Sequence, residues 1–573
     1  MHRNAGEAMS SQPQPATAGL SRAQVTLRRI IQYALLFALV VIAASGLSGL
    51  LERLFSSGAV LAATDVPGLA SGLAFTLIGG PLALLLWWFL WHRIDDSERT
   101  ATGWGLYLAG MYAVSLIIAT TSLLELAASL IGEPRGLWAS PLANGLVWAV
   151  VWVWHRWMWT HPDKGAAHLE DIRSTIGTVF GLLVGTIAAI IALSGLLDVA
   201  IRGASLLTAA VSPWWHSVLR SLVWAAGGGA VWWWHWIHEG GRRLRTGLVD
   251  VSMIVVGIFA AGITALGGSG VVLFVLLRLA FDRADPMGEL LEPLAPALAA
   301  ALIGAAVWRY HRAVSVHRSS ETRRASLLVT SAVALAAAAS GIGVIVSSLL
   351  GAAVSPLAGG AVRTLLLGGI SSLLVGGPVW WLAWKPAKQP RSADAIPHGR
   401  RIYLIAFFGV SAVVALIALL VIAYRLFEFL LGDVSGGSAI DRIRGPLGLL
   451  VAAGLVAGYH FALWRRDRAL LAAAGPARRR TIDYVTLVAG SGAEAIAQGI
   501  AEATGGAKVT VWLRADDGAA APSDPVTSPA SGESAGQVAK ALDGITARHV
   551  LVVLGPGARV DVIPVDSTGA QRP

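Results

Sequence analysis

The stretches VWVWHRW (Val151–Trp157), VWWWHWI (Val231–Ile237) and VWRYHRA (Val307–Ala313) are three versions of one pattern, set 80 and 76 residues apart. Each closes an apolar run and opens onto arginine or histidine within a few positions. A chain that repeats an aromatic–basic exit at that interval is repeating a unit of structure. The runs that precede the exits say what the unit is. Ile30–Leu51, Leu69–Trp91, Leu106–Leu124 and Ile176–Leu197 are almost free of charge. A hydrocarbon core of about 30 Å takes about 20 helical residues. In lipid each segment has to satisfy its own backbone, which makes it a helix.

The bulk composition points the same way. Of 573 residues 55% are apolar and only 14% charged, with a mean hydropathy of +0.65, whereas soluble domains carry about 25% charged residues. Cysteine is absent, which excludes disulfides and thiolate metal sites. The net charge of +10 is carried almost entirely by arginine. In a soluble chain it would point to nucleic acid. Here retention of basic residues on one side of a membrane accounts for it, and no nucleic-acid partner is expected. The first apolar run is longer than the core of a signal peptide, about 7–15 residues, so it is expected to stay in the protein.

Two series of short motifs alternate along the chain. SGLLE (Ser48–Glu52), TSLLE (Thr121–Glu125) and SGLLD (Ser194–Asp198) follow one another every 73 residues. Between them run the pairs Trp91-His92, Trp154-His155, Trp234-His235 and Tyr310-His311, which continue as Trp384-Lys385 and Trp464-Arg465. The unit is therefore two helices, out and back. The expected fold is an all-α polytopic bundle of about twelve transmembrane helices in six parallel hairpin repeats over residues 25–470. A disordered tail (1–24) precedes it and a small C-terminal α/β domain (471–573) follows it. The N-terminal tail, the links between hairpins and the stretch up to Arg480 hold 28 of the 44 basic residues; the loops within hairpins hold 10. Both termini are thus expected in the cytoplasm. Abundant Ala, Gly and Arg with little Lys points to a GC-rich bacterial genome, and the expected location is the bacterial inner membrane. The aromatic–histidine pairs at 91–92, 154–155, 234–235 and 310–311 then read as anchors, with the rings at the headgroup layer and the basic groups snorkelling to water.

RRIYLIAFFGVSAVVALIALLVIAYRLFEFLLGD (400–433), IRGPLGLLVAAGLVAGYHFALWRRDRA (443–469) and the earlier GGPLALLLWWFLWHR (79–93) resemble a bacterial membrane family known as domain of unknown function 5671. The resemblance implies tandem helical hairpins whose second helices end in Trp and basic residues. It implies no activity.

After Arg480 the pattern changes. YVTLVAGSGAEAIAQGIAEATGGAKVTVWLRADD (484–517) reads as strand, turn, helix and strand. A Pro/Ser/Ala-rich insert near 517–535 reads as disordered. HVLVVLGPGARVDVIPVD (549–566) reads as two strands around a turn. Gly490, Ser491 and Gly492 partly resemble a dinucleotide-binding turn, in which backbone N–H groups at a helix start meet phosphate; a plain tight turn is the preferred reading.

Charge within a membrane is the default mark of function. Glu52, Glu125 and Asp198 share one repeat position about 20 residues beyond each helix start, near the outer interface. They read as a polar boundary, or as an acidic ring at the mouth of a cation path. Histidines at matching depth would also suit a haem, although no cofactor is expected. The LGGSG stretch at 266–270 reads as close packing or as a broken helix. The expected function is a non-enzymatic scaffold or signalling protein of the lipid bilayer that offers its C-terminal domain to a cytoplasmic protein partner. The alternative is a transporter or channel for a small ion or solute.

Overall fold

A computed structural model describes residues 22–56, 66–132, 138–167, 169–203, 213–354, 359–385, 398–432, 438–473, 482–490, 493–504, 506–513, 537–538, 540–542, 545, 547–555 and 560–565. The Gly490 turn's Ser491 and Gly492, and the insert near 517–535, lie outside them.

Among the described residues twelve long helical rods follow one another: α1 (Arg22–Phe55), α2 (Val66–His92), α3 (Thr102–Ser129), α4 (Ala139–Thr160), α5 (Glu170–Arg202), α6 (214–238), α7 (Gly247–Phe281), α8 (Leu294–Val316), α9 (Ser320–Val354), α10 (Gly359–Trp384), α11 (His398–Leu431) and α12 (Ala439–Ala473). Ten are long and apolar enough to cross a membrane; α4 and α6 are the Trp-rich exceptions. The 34 residues of α1 span about 50 Å, well beyond a hydrocarbon core of about 30 Å, so a rod of this length tilts or stands clear of the core. Three rods carry a π-helical turn: Phe75–Gly79 in α2, Trp234–His238 in α6 and Met253–Ala260 in α7.

Consecutive rods pack as hairpins, and the seams are built from small residues. On Gly228 of α6, an added Cβ would lie 2.7 Å from the Cα of Gly185 on α5. On Gly268 of α7 it would meet the Ala301 nitrogen at 2.5 Å and the Ala297 oxygen at 2.6 Å on α8. Backbone-to-backbone approach of this kind replaces the hydrophobic drive that lipid cannot supply. Helix α7 runs unbroken through Leu266–Gly270, so LGGSG serves packing, with Gly267 and Gly270 facing open space.

Hairpins meet in a regular progression. Each odd rod packs on the even rod of the next hairpin: α1 on α4, α3 on α6, α5 on α8 and α7 on α10. Helix α9 meets α12 where Gly343 faces Gly448. Each hairpin thus leans on its neighbour, as in a repeat array. The ends carrying the links between hairpins, here the link face, are stitched at the same interval. Thr246 donates to Asp171 (2.5 Å), Thr322 to Asp250 (2.6 Å), Arg29 to Glu98 (2.7 Å) and Lys164 to the Trp91 carbonyl (2.6 Å), across 69 to 75 positions. Arg318 joins Asp250 at 2.7 Å.

The C-terminal domain is a separate compact unit. Strands β1 (Tyr484–Ala489), β2 (Lys508–Leu513), β3 (His549–Leu554) and β4 (Val560–Val565) form one sheet in the order β2-β1-β3-β4. β1 is parallel to β2 and β3, whereas β3 and β4 form an antiparallel pair. Helix α13 (Ala493–Ala503) crosses from β1 to β2 and buries Ile496 and Ile500 against Val485, Leu487, Val550 and Val552. This is the small α/β domain expected from the change of pattern after Arg480.

Candidate functional site

The even rods end in a repeated aromatic arrangement, and its contacts correct the alignment read from the sequence. Trp232 of α6 stands edge-on to Tyr310 of α8 (centroids 5.5 Å apart, 76° between planes), and Trp380 of α10 stands likewise to Tyr459 of α12 (5.6 Å, 74°). Trp87 of α2 meets Trp154 of α4 in the same way (5.1 Å, 69°). The Trp236 indole donates to the Tyr310 hydroxyl at 3.0 Å, and the Trp384 indole to the Tyr459 hydroxyl at 2.8 Å. Trp384 therefore matches Trp236, and the last hairpin's aromatic–histidine pair is Tyr459-His460, not Trp464-Arg465. The missed signal is the valine four residues before each histidine: Val151, Val231, Val307 and Val456. Its carbonyl accepts from the ring Nδ1 at 2.8–2.9 Å each time.

The histidines at these positions face into the protein. His155 and His460 are 0% exposed, His235 and His311 2%. A carbonyl can only accept, so Nδ1 carries the proton and Nε2 is left as an acceptor. Tyr107 supplies a hydroxyl to His155 Nε2 at 3.0 Å, and Tyr112 to His235 Nε2 at 2.8 Å. Both nitrogens of these two rings are thereby taken, so neither is free to ligate a haem. The rings of His235 and His311 lie against Gly177 and Gly257, where no Cβ would fit. His460 Nε2 has no partner among the described residues and sits in a box of Trp384, Tyr403, Phe407 and Tyr459. His92 is the odd member. It is exposed, and its hairpin's inward position is filled by buried Leu90. Tyr112→Phe is expected to leave His235 Nε2 buried without a donor and to cost about 1–2 kcal/mol, measured as a lower melting temperature of the detergent-solubilised chain; an unchanged value would contradict the tautomer.

Two carboxylates that the sequence did not single out hold the array together. Glu239, just beyond α6, accepts from Arg156 of α4 and from the Trp234 indole (3.2 Å), with Arg173 of α5 at 3.6 Å. Burial acts to raise its carboxyl pKa, but the Arg156 hydrogen bond and the Arg173 charge outweigh it and hold the group below the usual carboxylate range. At the opposite face Asp282, just beyond α7, takes Arg363 (2.6 Å) and Thr364 (2.7 Å) at the start of α10. Those bonds likewise hold its carboxyl low.

The three acids at the repeated position near the ends of α1, α3 and α5 have three different surroundings. Glu125 is exposed and Glu52 half-buried, and no ion pair involves either among the described residues. Asp198 pairs with Arg202 one turn along its own helix (2.6 Å). It borders a cavity of about 410 Å³ with Ser194, Ser217, Ser221 and Glu292. In the C-terminal domain Gly490 directly follows β1, the strand that has β2 on one side and β3 on the other.

Spans, hairpins and repeating end contacts define an integral membrane protein made of tandem helical units with a small α/β domain. The sequence matches the family described as Domain of unknown function (DUF5671) over residues 29–154, 175–306 and 324–455, and the chain belongs to that family. Each match covers four rods, so the family unit is two hairpins, and the chain holds three in tandem. The spacing agrees, since Trp232 and Trp236 precede Trp380 and Trp384 by 148 residues. No curated protein and no solved structure matches the chain.

Proposed function

We propose that the protein is a non-enzymatic scaffold or signalling component of a bacterial inner membrane, with both termini cytoplasmic and the α/β domain offered to a protein partner there. The observation that carries this reading is the seam between rods. Gly185 against Gly228, Gly268 against Ala301 and Gly343 against Gly448 bring backbones together, which suits a rigid, dry array better than a solvated path. The excess of arginine on the link face favours the cytoplasmic assignment of that face.

A second reading, transport of a small ion or solute, draws on the polar cavity beside Asp198 and Glu292. Proteoliposomes holding the full chain separate the two. The scaffold reading expects cation flux no higher than in empty vesicles, with no change in the combined Glu52→Gln, Glu125→Gln, Asp198→Asn variant. Flux that the triple variant abolishes would replace it with the transport reading. A reporter fused after Pro573 is expected to be active only in its cytoplasmic form.

A further inference from the structure

The junction between the first and second four-helix units and that between the second and third are built on the same frame, but among the described residues only the first is filled. At the first, Arg156 of α4 lies over Trp152 (5.9 Å) and Trp234 (5.8 Å) and pairs with Glu239. At the second, Arg312 of α8 lies over Trp308 (5.2 Å) in the matching way, since Val307, Trp308, His311 and Arg312 repeat Val151, Trp152, His155 and Arg156. The partners have changed. The 148-residue offset puts Leu382 where Trp234 stands and Ala387 where Glu239 stands. Ala387 lies outside the described residues, and the next acid along the chain is Asp394, seven positions further on and also outside them. A bulky indole and a carboxylate have thus been lost while the arginine remains.

What remains is a crevice of about 870 Å³ between α8 and α10, floored by Thr330 of α9 and walled by Trp308, Val379 and Leu382. Arg309 and Arg312 border it one helical turn apart, and neither has a carboxylate partner among the described residues. A guanidinium with no carboxylate beside it among the described residues, bordering an apolar cavity at a helix end, calls for a counter-charge. We infer that this crevice is a binding site for an anionic phospholipid, whose acyl chain takes the place of the missing indole and whose phosphate takes the place of the missing carboxylate. Arginines between transmembrane helices at headgroup depth are suited to such a phosphate, because the guanidinium fork matches its oxygens. This inference does not depend on whether the protein is a scaffold or a transporter.

The test is native mass spectrometry of the full chain, purified from nanodiscs of equal parts phosphatidylglycerol and phosphatidylcholine. The wild type is expected to retain phosphatidylglycerol selectively. Arg309→Gln with Arg312→Gln is expected to weaken that retention about thirtyfold. Leu382→Trp, which restores the residue of the filled junction and keeps both charges, is expected to exclude the lipid while raising the melting temperature. Equal retention of the two lipids by the wild type would overturn the proposal, as would undiminished retention in Leu382→Trp. So would displacement of the lipid by inorganic phosphate, which would make the ligand a free anion.

Discussion

Gly228→Ala is expected to destabilise the bundle by about 1–3 kcal/mol, against a helix propensity that favours alanine by about 1 kcal/mol. The new methyl would press on the Gly185 backbone of α5, at 2.7 Å from its Cα and 3.0 Å from the Val184 carbonyl carbon. Backbone in a helix cannot turn aside as a side chain can, so the two rods have to part. Separation at this seam also disturbs α3, which packs on α6 from the preceding hairpin. Gly229→Ala is the control, because nothing lies within 4 Å of its added carbon. There only propensity acts, and the melting temperature should hold or rise slightly. Gly228→Leu is expected to prevent assembly, seen as loss of the monodisperse peak on size exclusion in detergent. Equal behaviour of the two alanine variants would remove the packing explanation.

The second large effect is expected at Glu239. Glu239→Gln keeps the shape but leaves Arg156 and Arg173 without their counter-charge where the first unit meets the second. Breaking a buried pair costs about 3–5 kcal/mol. The arginine side chains are 28% and 21% exposed, so water recovers part of that and about 2 kcal/mol is the expected loss. Adding Arg156→Gln should recover some of it, since one stranded charge is then gone. The pH dependence follows from the depressed carboxyl. Its contribution is fully present above the ordinary carboxylate range and is lost as pH falls through the folded pKa. The difference in melting temperature between wild type and Glu239→Gln should be flat from about pH 8 to 6 and close below about pH 4. A gap that persists in acid would assign the effect to packing of the Trp234 indole instead.

Much of the architecture is legible in the sequence. Apolar run length gives the rods, the SGLLE and aromatic–histidine series give the hairpins, and short apolar segments separated by turn residues give the strands of the C-terminal sheet. The candidate site was legible only in part. Trp154, His155, Trp234, His235, Tyr310 and His311 read as boundary anchors in the sequence, yet all three histidines lie inside the array, each with Nδ1 bonded to a carbonyl and two of them with Nε2 bonded to a tyrosine. Trp91-His92 looked like a member of the series, but Leu90 occupies its inward position. Glu239 and Asp282 passed unnoticed because nothing in their own neighbourhoods distinguishes a carboxylate that will meet an arginine 83 or 81 residues away.

What the chain alone determined is what the bilayer reads directly: segment lengths, the sidedness of arginine and the period of the repeat. Each of these is read along the chain: length from the thickness of hydrocarbon and the need of every segment to satisfy its own backbone, sidedness from where basic residues cluster. The rotation of each rod about its axis was decided only by tertiary contact. In water an amphipathic stripe marks the inward face of a helix. In lipid both faces are apolar, so inward and outward look alike in the sequence, and glycine seams, tyrosine–histidine bonds and cross-unit ion pairs select between them.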